Sequence, residues 1–143
     1  MPNPFVHVEL ATGDIPAAKK FYRSLFDWKL KDTRMGPGMT YTMLDAGKGG
    51  VGGGMMKKAV PDAPTQWLSY VAVEDVAKTV AKARKLGATV IVESQEVMGM
   101  GTLAIFVDPG GAMLGLWQPA KRAPARKSAV KPAKKAVRKP ARK

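Results

Sequence analysis

Cysteine is absent from the 143-residue chain, which excludes disulfides, thiolate metal sites and a cysteine nucleophile together. Histidine occurs once, at His7, so any chemistry that needs two imidazoles is excluded as well. No stretch approaches the roughly 20 apolar residues of a membrane-spanning helix. The segment Met1 to His7 has no basic region leading into an apolar run of signal-peptide length. These absences point to a soluble, cytoplasmic protein. Acidic residues are missing from one region only: the segment 120–143 has none.

What is present is 45% hydrophobic residues, enough for one well-buried domain at this length. The net charge of +13 is unevenly placed, because residues 1–119 hold 13 Lys and Arg against 11 Asp and Glu. The fold itself is therefore close to neutral, and the basicity belongs to the C-terminal segment.

The order Phe5-Val-His-Val-Glu-Leu10 alternates, with Val6, Val8 and Leu10 on one face and His7 and Glu9 on the other, as in a half-buried strand. Asp14 stands at an N-cap position with Pro16 in the first turn. Ala17, Phe21 and Leu25, with Ala18 and Tyr22, form an apolar stripe at helical spacing that ends near Phe26 to Trp28. Short β-like runs follow at 29–33 and 40–45. The glycine-rich segment 47–54 then leads into Met55 and Met56 and predicts a flexible strand edge or a cleft-side loop. It has no Gly-Lys-Ser/Thr ending and precedes no helix, so it is not a phosphate loop. Residues 60–65 carry two prolines and form a linker.

After the linker the grammar restarts. Residues 67–73 form a strand run and Asp75 the next N-cap, while Val76, Val80, Ala83 and Leu86 form a second helical stripe stopped by Gly87. Runs at 89–93, 102–107 and 113–118, with an Asp108-Pro-Gly-Gly111 turn, complete the unit. Aligning Asp14 with Asp75 aligns strand with strand and helix with helix. Two βαβββ modules, at about 4–59 and 66–119, form one α+β domain over 1–119.

A repeated βαβββ module resembles the vicinal oxygen chelate superfamily, which includes glyoxalases, bleomycin resistance proteins and dioxygenases. The strings that carry the resemblance are His7-Val-Glu-Leu-Ala-Thr-Gly-Asp14 running into Phe21-Tyr22 and Leu25-Phe26-Asp-Trp28, then Trp67-Leu-Ser-Tyr70 to Asp75, and finally Val107-Asp-Pro-Gly-Gly111 with Leu114-Gly-Leu-Trp-Gln-Pro119. The resemblance implies a curved mixed sheet with a ligand cleft on its concave face, and a homodimer. It also implies that metal-dependent members draw one His or Glu ligand from the first and last strand of each unit. His7 fits such a position. Leu68, Gly115 and Thr42 or Met43 stand at the others and are poor or impossible ligands. Three of four expected ligands are missing, so no metal or other cofactor is expected, and His7 is the one metal candidate if a metal binds. An iron site built on two histidines and a carboxylate cannot be assembled.

On the face that the resemblance makes the cleft, His7 and Glu9 are candidates either to bind a polar ligand or to act as general acid and base. The competing reading is a polar pair satisfied by water or backbone. Tyr70 aligns with Glu9, and alternation on the last strand places Trp117 with Gly115. Tyr70, Trp117, Met43 and Met113 then form an apolar wall with a hydroxyl, suited to a flat or aromatic small molecule. For Met43 and Met113, core filling is the favoured alternative. Trp67 falls on the opposite face and is assigned to packing or a dimer contact.

The segment 120–143 combines Lys and Arg with Ala and Pro, cannot bury a core, and is expected to be disordered. It resembles the tails of linker histones and nucleoid-associated proteins. Lys121, Arg122, Arg126, Lys127, Lys131, Lys134, Lys135, Arg138, Lys139, Arg142 and Lys143 are its candidate phosphate contacts, acting on nucleic acid without reading its sequence. Three functions follow from the sequence. They are a metal-free small-molecule binder like the drug-sequestering branch of the superfamily, a glyoxalase-like lyase or isomerase using His7 and Glu9, and a nucleoid-associated protein acting through the tail.

Overall fold

The computed structural model describes residues 2–121. Of the eleven basic residues expected to meet phosphates, Lys121 is described and the ten from Arg122 to Lys143 lie outside the described residues.

The elements run β1 (Phe5–Thr12), α1 (Ile15–Leu25), β2 (Lys29–Gly36), β3 (Met39–Asp45), β4 (Gly53–Lys57), β5 (Gln66–Ala72), α2 (Val76–Lys85), β6 (Thr89–Val97), β7 (Gly101–Val107) and β8 (Met113–Pro119). Both caps act as the sequence predicts: Asp14 accepts from Ala17 N at 3.0 Å and Asp75 from Lys78 N at 3.0 Å. Gly87 follows α2 with φ +100°, a left-handed conformation that suits glycine at a helix C-terminus.

All eight strands form one mixed sheet in the order β2-β3-β4-β1-β5-β8-β7-β6. The first module supplies the left half and the second the right. They meet where β1 pairs antiparallel with β5, while β1–β4 and β5–β8 are parallel. The sheet is curled, with both helices on its convex side. The α+β class and the two-module architecture are as the sequence predicts.

The core divides between the modules. Under α1 lie Leu10, Leu44 and Met55, joined by Ile15, Ala18, Tyr22, Trp28, Leu30 and Trp67. Under α2 lie Val73, Val76, Val80, Ala104 and Leu116. Trp67 packs here as an aromatic partner of Tyr22 and Trp28, donating Nε1–H to the Tyr22 hydroxyl at 3.2 Å.

Three local expectations need correction. The row Ala17-Phe21-Leu25 is not the buried face of α1: Phe21 and Leu25 are exposed, and Ile15, Ala18 and Tyr22 turn inward. The two rows differ by one residue's rotation, which hydrophobic spacing alone does not resolve. Leu86 is likewise exposed at the end of α2 and contributes nothing to its buried stripe. Finally, the glycine-rich run ends inside the sheet, not at its edge. Gly53 and Gly54 are buried in β4, between β3 and β1. A Cβ at Gly53 would collide with the carbonyl oxygen of Val8, so glycine permits that close approach.

Candidate functional site

Register sets the membership of the concave face. His7 lies opposite Tyr70 and Glu9 opposite Leu68 across β1–β5. Glu9 is also opposite Gly54 on β4, Gly54 opposite Met43 on β3, and Tyr70 opposite Gly115 on β8. Side chains opposite one another share a face. His7, Glu9, Tyr41, Met43, Tyr70, Met113 and Trp117 therefore all project from the side away from the helices.

At the centre is a hydrogen-bonded quartet. The Tyr41 hydroxyl donates to Glu9 Oε2 at 2.9 Å and lies 2.7 Å from His7 Nε2. The Tyr70 hydroxyl donates to Glu9 Oε1 at 3.2 Å. With Tyr41 donating to the carboxylate, its hydroxyl oxygen is left to accept from an Nε2–H of His7. His7 and Tyr41 rings stack with centroids 6.2 Å apart, while Tyr70 meets His7 edge-on at 5.8 Å. Glu9 does not orient His7 directly; Tyr41 stands between them.

Glycine makes room for this arrangement at two equivalent positions. The spacing from Asp14 to Asp75 also separates Gly54 from Gly115. A Cβ at Gly54 would run into the ring of Tyr41, and one at Gly115 into the ring of Tyr70. Each tyrosine thus leans over a neighbouring strand's bare backbone and brings its hydroxyl to the same carboxylate.

The quartet is partly withdrawn from water. Desolvation raises the Glu9 carboxyl above its ordinary range, and hydrogen bonds from Tyr41 and Tyr70 offset only part of that rise. Desolvation lowers the His7 imidazole. Both phenols are pushed well above the ordinary tyrosine value by burial and by the charge and hydrogen bond of Glu9, so they act as hydroxyl donors across the physiological range.

The residues foreseen from sequence are distributed unevenly. His7, Glu9 and Tyr70 come together. Met43 and Met113 lie on the concave face at 40% and 36% exposure, which corrects the core-filling alternative. The sulfur of Met113 accepts from Gln66 Nε2 at 3.3 Å. Trp117 shares the face, but its ring covers Gly101 on β7. Thr42 belongs to the helix side, where it is buried and donates to Asp32 Oδ1 at 2.8 Å. Sequence reading missed Tyr41. Its signal was present: it sits two residues before Met43 in a strand whose alternate positions, Thr42 and Leu44, are buried.

A divalent metal does not suit these residues. Leu68 and both glycines offer no donor, Nε2 of His7 is engaged by Tyr41, and no cluster of three His, Asp or Glu side chains occurs among the described residues. A hollow of about 190 Å³ lies elsewhere. It is on the convex side, between Val8, Leu44, Val51 and the indoles of Trp28 and Trp67.

A curled sheet of paired βαβββ modules with a polar cluster on its concave face defines a vicinal-oxygen-chelate type of domain. The sequence model of the Glyoxalase/Bleomycin resistance protein/Dioxygenase superfamily matches residues 5–116, and the chain belongs to that superfamily. Among curated relatives, "Putative glyoxylase CFP32" of Mycobacterium tuberculosis is 37% identical over 114 residues, covering 78% of this chain and 44% of its own length. The anthracycline biosynthesis protein DnrV of Streptomyces peucetius is 26% identical, with 77% and 45% covered. The chain thus spans less than half the length of these relatives. Among solved structures, methylmalonyl-CoA epimerase from Mycobacterium tuberculosis superposes with a TM-score of 0.61 at 17% identity, covering 88% of this chain and 91% of its own. That identity establishes a shared fold alone.

Proposed function

We propose that the concave face binds a small, partly aromatic molecule without a divalent metal. His7, Glu9, Tyr41 and Tyr70 form its polar floor, and Met43, Met113 and Trp117 supply adaptable apolar contact. The observation that supports this most directly is the convergence of two tyrosine hydroxyls, from β3 and β5, on one carboxylate of β1. Thermal stabilisation by a panel of aromatic compounds, with no stabilisation by Zn²⁺, Ni²⁺, Mn²⁺ or Fe²⁺ and no metal by elemental analysis, is the expected result. Stoichiometric metal would overturn the reading.

The continuous contact from Glu9 through Tyr41 to His7 supports a second reading, a lyase or isomerase of the glyoxalase type in which a proton is exchanged with the substrate at His7 or Glu9. The name of CFP32 agrees with it. Turnover of a hemithioacetal or an α-acidic thioester that vanishes in both His7→Ala and Glu9→Gln would favour this reading over simple binding.

The charge asymmetry supports a further role for the segment 120–143: tethering the domain to nucleic acid by counterion release. With about half of its charges on phosphates, the slope of log affinity against log salt is about −5. Removal of residues 120–143 should abolish that binding; a homodimer would strengthen it by doubling the contacts.

A further inference from the structure

Glu9 is a carboxylate drawn out of water, and among the described residues no Lys, Arg or His forms an ion pair with it. The two ion pairs among the described residues, Lys19–Asp32 and Arg84–Glu93, both lie on the helix side of the sheet. The partners of Glu9 are instead two neutral hydroxyls, from Tyr41 and Tyr70. Each takes up one acceptor site on one oxygen, and a carboxylate has about four such sites. Half of its capacity therefore remains, and the ionised form has only neutral hydroxyls as hydrogen-bond partners. Burial of an ionised carboxylate is costly unless a counter-charge accompanies it.

The surroundings suit a counter-charge of one kind. The rings of His7, Tyr41 and Tyr70 lie around the carboxylate, with His7 centroids 6.2 and 5.8 Å from the two phenols. Beyond them, next to Glu9 through Gly54 in the register, is the half-exposed thioether of Met43. Aromatic faces attract cations, whereas Glu9 itself repels an anion.

We infer that the concave site selects small organic cations, a protonated amine or quaternary ammonium borne on an apolar body, over neutral molecules of the same shape. This rests on the concave face being a ligand site, and it names the ligand's chemical class. The ammonium supplies a charge that no described residue pairs with Glu9, the partly exposed rings of His7 and Tyr41 accommodate its flanks, and the apolar body lies against Met43 and Met113.

The test uses the full chain with methyl-labelled methionine, titrated at neutral pH with benzylamine and with benzyl alcohol, following the Met43 and Met113 methyl signals. Benzylamine is expected to bind about tenfold more tightly than benzyl alcohol. That ratio should fall to near one in Glu9→Gln and persist in Tyr41→Phe, which keeps both ring and charge. Equal affinities in the unmodified chain, or a ratio unchanged in Glu9→Gln, would overturn the cation preference while leaving a functioning cleft. A ratio lost in Tyr41→Phe would assign selection to the hydroxyl and also overturn it. No response of either methionine to either probe would overturn the cleft reading as well.

Discussion

Tyr70 packs against the backbone of Gly115 so closely that a Cβ at that position would overlap its ring, and Tyr41 stands in the same relation to Gly54. The two glycines occupy corresponding places in the two modules. The site is therefore built by subtraction: side chains are missing from the last strand of each module where rings from other strands lie down.

Gly54→Ala and Gly115→Ala should each destabilise the domain by about 1–3 kcal/mol through overpacking. Gly52→Ala, whose Cβ would make only an ordinary 3.5 Å contact with the Leu44 carbonyl, serves as the control and should cost far less. Urea unfolding of the three variants decides it. Combining Gly54→Ala with Tyr41→Ala should cost less than the sum of the two, because the clash disappears with the ring.

Removing single members of the quartet should have unequal effects. His7→Ala leaves Tyr41 still bonded to Glu9 and is expected to change stability by less than about 1 kcal/mol. Glu9→Ala strands the hydroxyls of the buried Tyr70 and the half-buried Tyr41, and a cost of about 1–3 kcal/mol follows from unsatisfied donors. Tyr41→Phe should uncouple His7 from Glu9. Histidine Nε2 and Cε1 shifts followed against pH would then show a changed imidazole titration, whereas a merely structural Tyr41 would leave it unaltered.

The pH dependence has a definite sign. Glu9 is raised above its ordinary value of 4.5 by burial, so the folded state holds that proton more firmly than the unfolded chain. Its contribution to stability is full below that value and is lost as pH rises through the folded-state pKa. His7 is lowered from 6.5 by burial, so its contribution is present above 6.5 and is lost as pH falls through its folded-state pKa. Glu9→Gln removes the first effect alone. The midpoint of thermal unfolding of Glu9→Gln relative to the unmodified protein should therefore climb as pH is raised from about 4 to 7, and a flat difference would contradict a desolvated carboxylate.

The helix caps offer an independent check on the two-module division. Asp14→Ala and Asp75→Ala each remove a 3.0 Å side-chain bond to a helix N-terminus and should cost about 1 kcal/mol apiece. The caps belong to separate modules, so the double variant should show additive losses in denaturant unfolding.

Much of the fold was legible in the residues. Asp14 and Asp75 mark two helix starts by local hydrogen bonding, and strict alternation in β1 placed His7 and Glu9 on one face and Leu10 on the other. Such periodicity is a property of a single element, and so it survives without knowledge of the neighbours. The misread elements are those whose environment is supplied from afar. Whether Phe21 or Tyr22 faces inward depends on where Trp28 and Trp67 stand, since Tyr22 meets both rings. The glycines of β4 look like loop residues until Val8 and Tyr41 are brought against them.

The amino-acid sequence by itself determined the two modules, their strands and helices, and the presence of a histidine–glutamate pair on one strand face. It also confined the excess positive charge to residues 120–143, because composition and local spacing carry that information directly. Only the tertiary structure decided that Tyr41 joins His7 to Glu9 across 32 to 34 residues of chain. It alone decided that Tyr70 completes the set from the second module, 61 residues from Glu9. The reason is physical: a hydrogen-bonded cluster is made by strand register and by the space left at Gly54 and Gly115, and register is settled only when all eight strands close into one curled sheet.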